Sequence, residues 1–553
     1  MSTQPAISIC LRTLFVYLLL ASNAPLVLSQ WQNPLQKEPP VGQPKKIAII
    51  GAGAGGASTA YHLRKYADFF SIPLNITVFE KANYVGGRST TVDLFDDPTQ
   101  PVELGASIFV NANKNLVRAA KKFGLTVREA NHGAPRESTH SLGVWDGHKF
   151  VFLQRSTNFR WWNIFRLLWQ YGWAPMRTQS VMKSTIEKFL KLYKWPYFPW
   201  KSLSAVAQST GLAAATWSTG AEFLRDHHIS EDFSREVIQA STRVNYGQNL
   251  PLIHGLETMV CMATDGAKFI EGGNWQIFQG MIDVSKANLS LQTEVKEVHR
   301  NDDDTYTLAY KTEGSNVTRH SDFDQVVIAS PFQFTGIKIS PSLDYLPDKA
   351  PYVELHVTLL ASPHKVSPRF FRFPEKGFSV PEVILTTLPN GLDLGARRDG
   401  VGPAGFWSIS TIKKARPPTA SYSSGEEHYI YKIFSPKPLN TQFVSDLFGI
   451  PEMDLYADHN TTLRVSGSEL SGFSASEISW VHEKKWQSYP YLYPRATFED
   501  IKLAPNLWYT SAIENFISTM ETSALSGMNV AALILSEWIS EFEVKLKKYE
   551  ENS

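Results

Sequence analysis

A chain of 553 residues is too long for one simple core, so two domains are expected. Its 43% hydrophobic and 19% charged content excludes a disordered chain. A formal net charge of +1 argues against a nucleic-acid partner held by bulk electrostatics, and 15 tryptophans suit either a large core or a lipophilic pocket.

The first residues read as a secretory signal peptide spanning 1–29. Arg12 supplies positive charge, residues 14–21 are apolar, and Ser29 with Val27 two before it suggests cleavage before Gln30. The other reading is a membrane anchor, but Ser22, Asn23 and Pro25 interrupt the apolar run. No later stretch is long and apolar enough to span a bilayer. Of the two cysteines, Cys10 would leave with the signal, so Cys261 remains as one thiol without an internal disulfide. Asn-x-Ser/Thr sequons at Asn75, Asn288, Asn316 and Asn460 fit the secretory route. Residues 30–44 are polar and proline-rich, and read as a linker.

A βαβ unit follows. Residues 47–50 form a short β-branched run typical of a buried parallel strand, and Gly51, Gly53 and Gly56 come directly after it at G-x-G-x-x-G spacing. Gly51 allows the tight turn, Gly53 the approach of a pyrophosphate, and Gly56 the close packing of the next helix on the strand. Ala52 and Gly55 complete this loop, whose helix N-terminus presents free N–H groups to phosphates. Glu80 ends the second strand, where an acid can hydrogen-bond ribose hydroxyls. The step Gly86-Gly87-Arg88 resembles the pattern of large flavin oxidases related to amine oxidases, which implies FAD as the dinucleotide. In those enzymes a Glu-x-Gly-Ala segment at this distance returns to the cofactor. Glu103 reads either as that contact or as a surface charge at a strand end.

Residues 142–145 and 149–152 flank Asp146-Gly147, a hairpin signal. Residues 159–173 are so apolar that they read either as deeply buried core or as the lining of a greasy channel. Residues 202–229 and 234–242 read as helices, and residues 243–248 break the pattern. A helix begins near Trp275. Strands are expected at 289–298, 323–331, 353–361, 383–388 and 428–435, with loop at both ends of 391–424. Residues 489–494 are aromatic and turn-rich. A strand at 507–513, a loop and an Ala-rich helix at 522–538 follow, and 541–553 reads as a charged helical tail.

Together these segments resemble the prenylcysteine oxidase, or prenylcysteine lyase, family from about Lys45 to Trp538. The resemblance rests on residues 51–56, 85–88, 167–172, 243–248, 271–274, 432–435, 486–494 and 513–523. Phe516 and Ile517 depart from it, because family members tend to have small residues there. The resemblance implies an α/β fold. A Rossmann-like FAD-binding domain of the amine-oxidase and dissociation-inhibitor (GDI) type would carry a mixed α+β substrate domain. FAD-binding segments are expected at 45–140, 265–340 and 486–545, and substrate segments at 141–264 and 341–485. It implies FAD-dependent oxidation of S-farnesyl- or S-geranylgeranyl-cysteine by oxygen to cysteine, a prenyl aldehyde and hydrogen peroxide.

For the cofactor, the resemblance implies a backbone contact from Val295 to the adenine, and flavin contacts from Glu514, Met520 and Glu521. Tyr246, His356 and Glu514 are candidates to assist water attack, each otherwise a structural hydrogen bond. Arg243 could hold the cysteine carboxylate or form a buried structural pair, and Trp169 could help line a prenyl tunnel. No zinc-type Cys/His cluster and no G-x-S-x-G elbow is present. Two other readings stand beside this one: an FAD oxidase acting on an amine or a porphyrinogen, and a non-catalytic prenyl carrier of the same fold. The family's habit points to lysosome or vacuole, with extracellular release as the alternative.

Overall fold

The computed structural model describes residues 43–130, 138–155, 167–392, 394–418, 426–451 and 469–539, together with 544 and 547. The signal-like segment, most of the linker, Asn460, residues 159–166 and nearly all of the charged tail lie outside the described residues.

The apolar run after the linker forms the strand Lys45–Ile50, with its last four residues buried. It lies inside a six-stranded sheet ordered Lys502–Ala504, Leu507–Tyr509, Gln325–Ile328, Lys45–Ile50, Leu74–Phe79, Asn288–Ser290. All neighbours are parallel except the outermost Lys502–Ala504. Gln325–Ile328 and Leu74–Phe79 flank the opening strand on opposite sides, so the strand order reverses there. The crevice at the carboxyl ends of such strands is where open α/β sheets bind ligands.

The helix Ala54–Phe70 buries Ala57, Ala60, Leu63, Tyr66 and Ala67. Against it lies the last helix, Met520–Trp538. Small residues allow this close crossing: Ser58 Oγ donates to the Ala524 carbonyl at 2.5 Å, and a Cβ on Gly527 would stand 2.2 Å from the Gly55 carbonyl oxygen.

The second large sheet has seven strands in the order Trp480–Pro490, Tyr352–Ser362, His428–Ser435, Ser408–Ala415, Val383–Thr386, His140–Trp145, Phe150–Arg155. Its strands alternate between two cores. Leu355, Val357, Leu359 and Ala361 face one, while Leu360 faces the other with Ile384, Ile409 and Ile433. The hairpin at Asp146-Gly147 forms as its sequence suggests, with Asp146 Oδ1 accepting from the amides of His148 and Lys149. A four-stranded sheet, Arg319–Phe323, Tyr306–Thr312, Thr293–Arg300 and Lys338–Ser340, completes the layers.

Three local expectations change. The strand expected at 289–298 is two, Asn288–Ser290 and Thr293–Arg300, divided at Gln292 with its φ of 49°. The break expected at residues 243–248 comes only at Gly247, left-handed with φ 59°, because the helix Gln239–Tyr246 runs through Arg243. Residues expected to turn from 489 belong in part to the eleven-residue strand Trp480–Pro490. The boundary expected at 486 therefore falls inside a strand of the seven-stranded sheet, and the chain rejoins the first sheet at Lys502.

Candidate active site

The glycine loop and the Gly86-Gly87 step meet. Gly53 and Gly86 pair as an isolated parallel bridge. A Cβ on Gly56 would lie 1.8 Å from the Gly51 carbonyl oxygen, so no other residue lets the helix sit this close to the strand. A Cβ on Gly53, by contrast, would meet only the Gly87 Cα at 3.9 Å, so space lies open beside this backbone. No side chain caps the helix Ala54–Phe70, and its first N–H groups point into that space. Glu80 accepts from the amides of Ala52 and Ala82, each at 2.8 Å, and both oxygens keep a lone pair for ribose hydroxyls.

Around this cradle, buried polar atoms wait for partners. Ser89 Oγ and Glu103 Oε2 have none. Glu103 is no surface charge. Its Oε1 accepts from the Asn274 amide at 2.6 Å, Lys432 Nζ donates to its backbone carbonyl at 2.8 Å, and burial pushes the carboxyl up to about 7. The open backbone, uncapped helix and unpaired atoms fit a dinucleotide.

Arg88 and Glu514, distant in sequence, form an ion pair at 2.7 Å, with Glu514 buried and Arg88 half-buried. Arg88 also donates to the Ser488 carbonyl at 2.6 Å, and the Tyr352 hydroxyl donates to Glu514 at 3.0 Å. Burial works against the Arg88 charge, but the Glu514 carboxylate more than compensates and holds its pKa above the ordinary range. Met520 begins the last helix behind the Thr519 cap. Phe516 and Ile517 are buried, with Phe516 edge-on to Phe498 at 5.0 Å between ring centres.

Other expected residues are placed differently. Both oxygens of Glu521 are committed: they accept from the amides of Asn115 and Leu116 at 2.8 and 3.0 Å, and from the Tyr193 hydroxyl at 2.5 Å. Glu521 thus anchors the start of the helix Lys114–Lys122. Val295 is buried and pairs in register with Tyr310 beside a bulge. His356 lies on the same strand face as Tyr352 but four residues along, about 13 Å away, among Glu354, Glu483 and Lys485. Trp169 is 83% exposed and lines no enclosed tunnel in the described residues.

Arg243 is fully buried and its guanidinium is held by protein oxygens. It donates to Thr386 Oγ1, Asn249 Oδ1 and the carbonyls of Gly400 and Val401 at 2.7–3.2 Å, and stacks over Trp407 at 4.6 Å. It is a structural knot: four of its five N–H groups are held by the protein, and the side chain is sealed from solvent. An open cavity of about 520 Å³ is lined by Gln333, Phe334, Lys349, Ala350, Pro351 and Arg398. Phe334 meets Tyr352 edge-on at 4.9 Å. Arg398 is held over the rings of Tyr491 and Tyr493.

Tyr246 is buried, donates to the Ser518 carbonyl at 3.1 Å and stacks edge-on to Tyr489 at 4.9 Å. Beside it stands an acid that sequence reasoning missed. Glu257, in the helix Gly255–Met262, is fully buried, and neither carboxyl oxygen makes a hydrogen bond of normal length. The only sequence signal was misleading: His254 caps this helix by accepting the Glu257 amide on Nδ1, so Glu257 reads as an ordinary first-turn acid.

Comparison with known proteins adds the following. The family described as Prenylcysteine lyase matches residues 154–545, and the NAD(P)-binding Rossmann-like domain matches residues 49–123. Farnesylcysteine lyase of Arabidopsis thaliana is 29% identical, covering 90% of this chain and 89% of its own. Prenylcysteine oxidase 1 of Bos taurus is 28% identical, covering 93% and 92%. Among solved structures, wild-type putrescine oxidase bound to putrescine has a TM-score of 0.51 at 12% identity, covering 89% of this chain and 99% of that one. Cyclohexylamine oxidase from Brevibacterium oxydans has a TM-score of 0.50 at 16% identity, covering 90% and 100%. At these identities the solved structures share the fold.

Proposed function

The chain belongs to the prenylcysteine lyase family, and from that premise we propose that it cleaves the thioether of S-prenylcysteine, farnesyl or geranylgeranyl, during breakdown of prenylated proteins. It is an oxidoreductase, and its cofactor is FAD. FAD supplies the acceptor for a hydride from the carbon beside sulfur, so that water can add there and oxygen can restore the cofactor, giving cysteine, a prenyl aldehyde and hydrogen peroxide. The single observation that carries this reading is the family match across residues 154–545. The cradle of the opening βαβ unit is common to many oxidases, whereas residues 154–545 include five of the seven strands of the second large sheet and most of the helices on the substrate side.

The chain's own residues bind, orient and exclude water. The glycine loop and Glu80 hold the pyrophosphate and ribose, while Gly86, Gly87 and the Arg88–Glu514 pair support the flavin end. The family resemblance would have Val295 offer backbone to the adenine beside its bulge, and Met520 opens the last helix, whose N-terminus would face the flavin. Tyr246 is the polar group best placed to serve the reacting carbon, because it reaches Ser518 just ahead of that helix. With Arg243 committed elsewhere, Lys349 and Arg398 at the cleft are the cations that meet the cysteine carboxylate. The sequons at Asn75, Asn288 and Asn316 are exposed, which fits a route through the secretory pathway; lysosome or vacuole as its end is what the family resemblance implies. No helix among the described residues is long and apolar enough to cross a membrane.

Incubation of the purified protein in air with S-farnesylcysteine, S-geranylgeranylcysteine or a primary amine tests the reading. Prenyl aldehyde, free cysteine and peroxide in equal amounts are expected from the first two alone. Aldehyde and peroxide from the amine alone would replace the proposal with an amine oxidase.

A further inference from the structure

Glu257 has no evident structural reason to be an acid. A carboxyl buried without a counter-charge, and without a hydrogen bond of normal geometry, destabilises a fold, and an apolar residue or an amide would cost less. The groups that face it are the Tyr246 hydroxyl on the neighbouring helix, Cys261 one turn along its own helix and the Ser518 amide ahead of the last helix. Tyr489 closes the cluster over Tyr246, and His254, held neutral by burial at about 4, binds the Glu257 amide. No cation among the described residues pairs with it. Arg88 acts on Tyr489 and Arg495 on His254. The carboxyl is therefore pushed up to about 8 and is protonated at neutral pH. The cluster touches both segments that support the flavin end: Tyr246 bonds Ser518, two residues before Met520, and Tyr489 follows Ser488, which accepts from Arg88.

We propose that Glu257 is a positioning residue, a buried acid that acts through the Tyr246 hydroxyl as the proton store for thioether cleavage; this rests on the activity proposed above. After hydride removal, water adds to the carbon beside sulfur and its proton goes to solvent. The C–S bond then breaks with its electron pair staying on sulfur. That sulfur takes a proton from the Tyr246 hydroxyl, which is replenished by Glu257. As the C=O bond forms, the hydroxyl on the same carbon releases its proton, which returns through Tyr246 to Glu257. The carboxyl ends as it began.

The test uses the full-length, FAD-bound protein with Glu257→Gln, which keeps the volume and removes the acid, and Glu257→Asp, which keeps an acid. Glu257→Gln should bind FAD and bleach anaerobically with S-farnesylcysteine at the wild-type rate, because the hydride step comes first. Its kcat for aldehyde release should fall about 100-fold with KM unchanged. The alkaline limb of the kcat–pH profile should vanish, and its Tm at pH 8 should rise. Glu257→Asp should recover part of kcat. An unchanged kcat and pH profile in Glu257→Gln would overturn the proposal, as would a lower Tm with FAD loss in both variants. A wild-type flavin that S-farnesylcysteine does not bleach would instead bring down the proposed activity and this proton store with it.

Discussion

Arg243 and Glu257 are both fully buried and both ionisable, yet their surroundings are opposite. Arg243 donates to four oxygen atoms and stacks on a tryptophan; Glu257 makes no hydrogen bond of normal length. The first ties the helix Gln239–Tyr246 to Thr386 and to the backbone at Gly400 and Val401. The second faces the Tyr246 hydroxyl and the Ser518 amide, has no cation beside it among the described residues, and stands by a tyrosine that reaches toward the cofactor segments. A buried cation held by four hydrogen bonds that join separate segments is architecture. A buried acid without a counter-charge is retained for something other than stability.

Substitutions at these sites and their neighbours should separate the two kinds of burial. The largest effect is expected from Arg243→Met, which takes the donor from Asn249 Oδ1, Thr386 Oγ1 and the Val401 carbonyl. Summed over these stranded acceptors it should cost about 3–5 kcal/mol in thermal or urea unfolding, with or without FAD. A variant that folds as wild type but binds S-farnesylcysteine weakly would break the contrast and restore Arg243 as a substrate residue.

Glu257→Met should shift stability the other way, by about 1–3 kcal/mol at pH 8. Glu257 has a folded-state pKa raised from 4.5 to about 8, so the stability it allows is complete below 4.5 and is lost as pH rises through 8. The Tm advantage of the variant should therefore be smallest near pH 4.5 and grow toward pH 8. A constant gap would show that the carboxyl does not titrate in this range.

Glu521→Ala removes the acceptor of two helix N–H groups and of the Tyr193 hydroxyl. It should lower stability by about 1–2 kcal/mol in urea unfolding while FAD content stays at the wild-type level. Loss of FAD without loss of stability would return Glu521 to the cofactor. The smallest change is expected from Tyr352→Phe. It removes one hydrogen bond to Glu514 and leaves the Arg88 pair, at about 0.5–1.5 kcal/mol in the same assay.

The cofactor half was legible because its signals are local. The β-branched run at residues 47–50, the glycine spacing and Glu80 lie within one βαβ unit, and each is dictated by backbone geometry that the sequence carries directly. The hairpin at Asp146-Gly147 and the alternation of His428–Ser435 were legible for the same reason. Trp480–Pro490 was not, because its Tyr-Pro end imitates a turn and its exposed edge carries Glu and Lys among the aromatics. The pairing of Arg88 with Glu514 spans 426 residues, and the resemblance named both partners without joining them. The roles of Arg243 and Glu521 depend on partners that only the folded chain brings near. Glu257 was hidden more thoroughly, since its position three residues after the cap of a short helix is where an acid is ordinary.

The most direct test of the central claim is anaerobic mixing of the purified, FAD-bound protein with S-farnesylcysteine while the flavin spectrum is recorded. The account predicts bleaching of the oxidised flavin band, then recovery with peroxide and farnesal when air is admitted. A bound flavin that stays oxidised with both S-farnesylcysteine and S-geranylgeranylcysteine would contradict the proposed substrate while leaving the fold and its dinucleotide cradle in place.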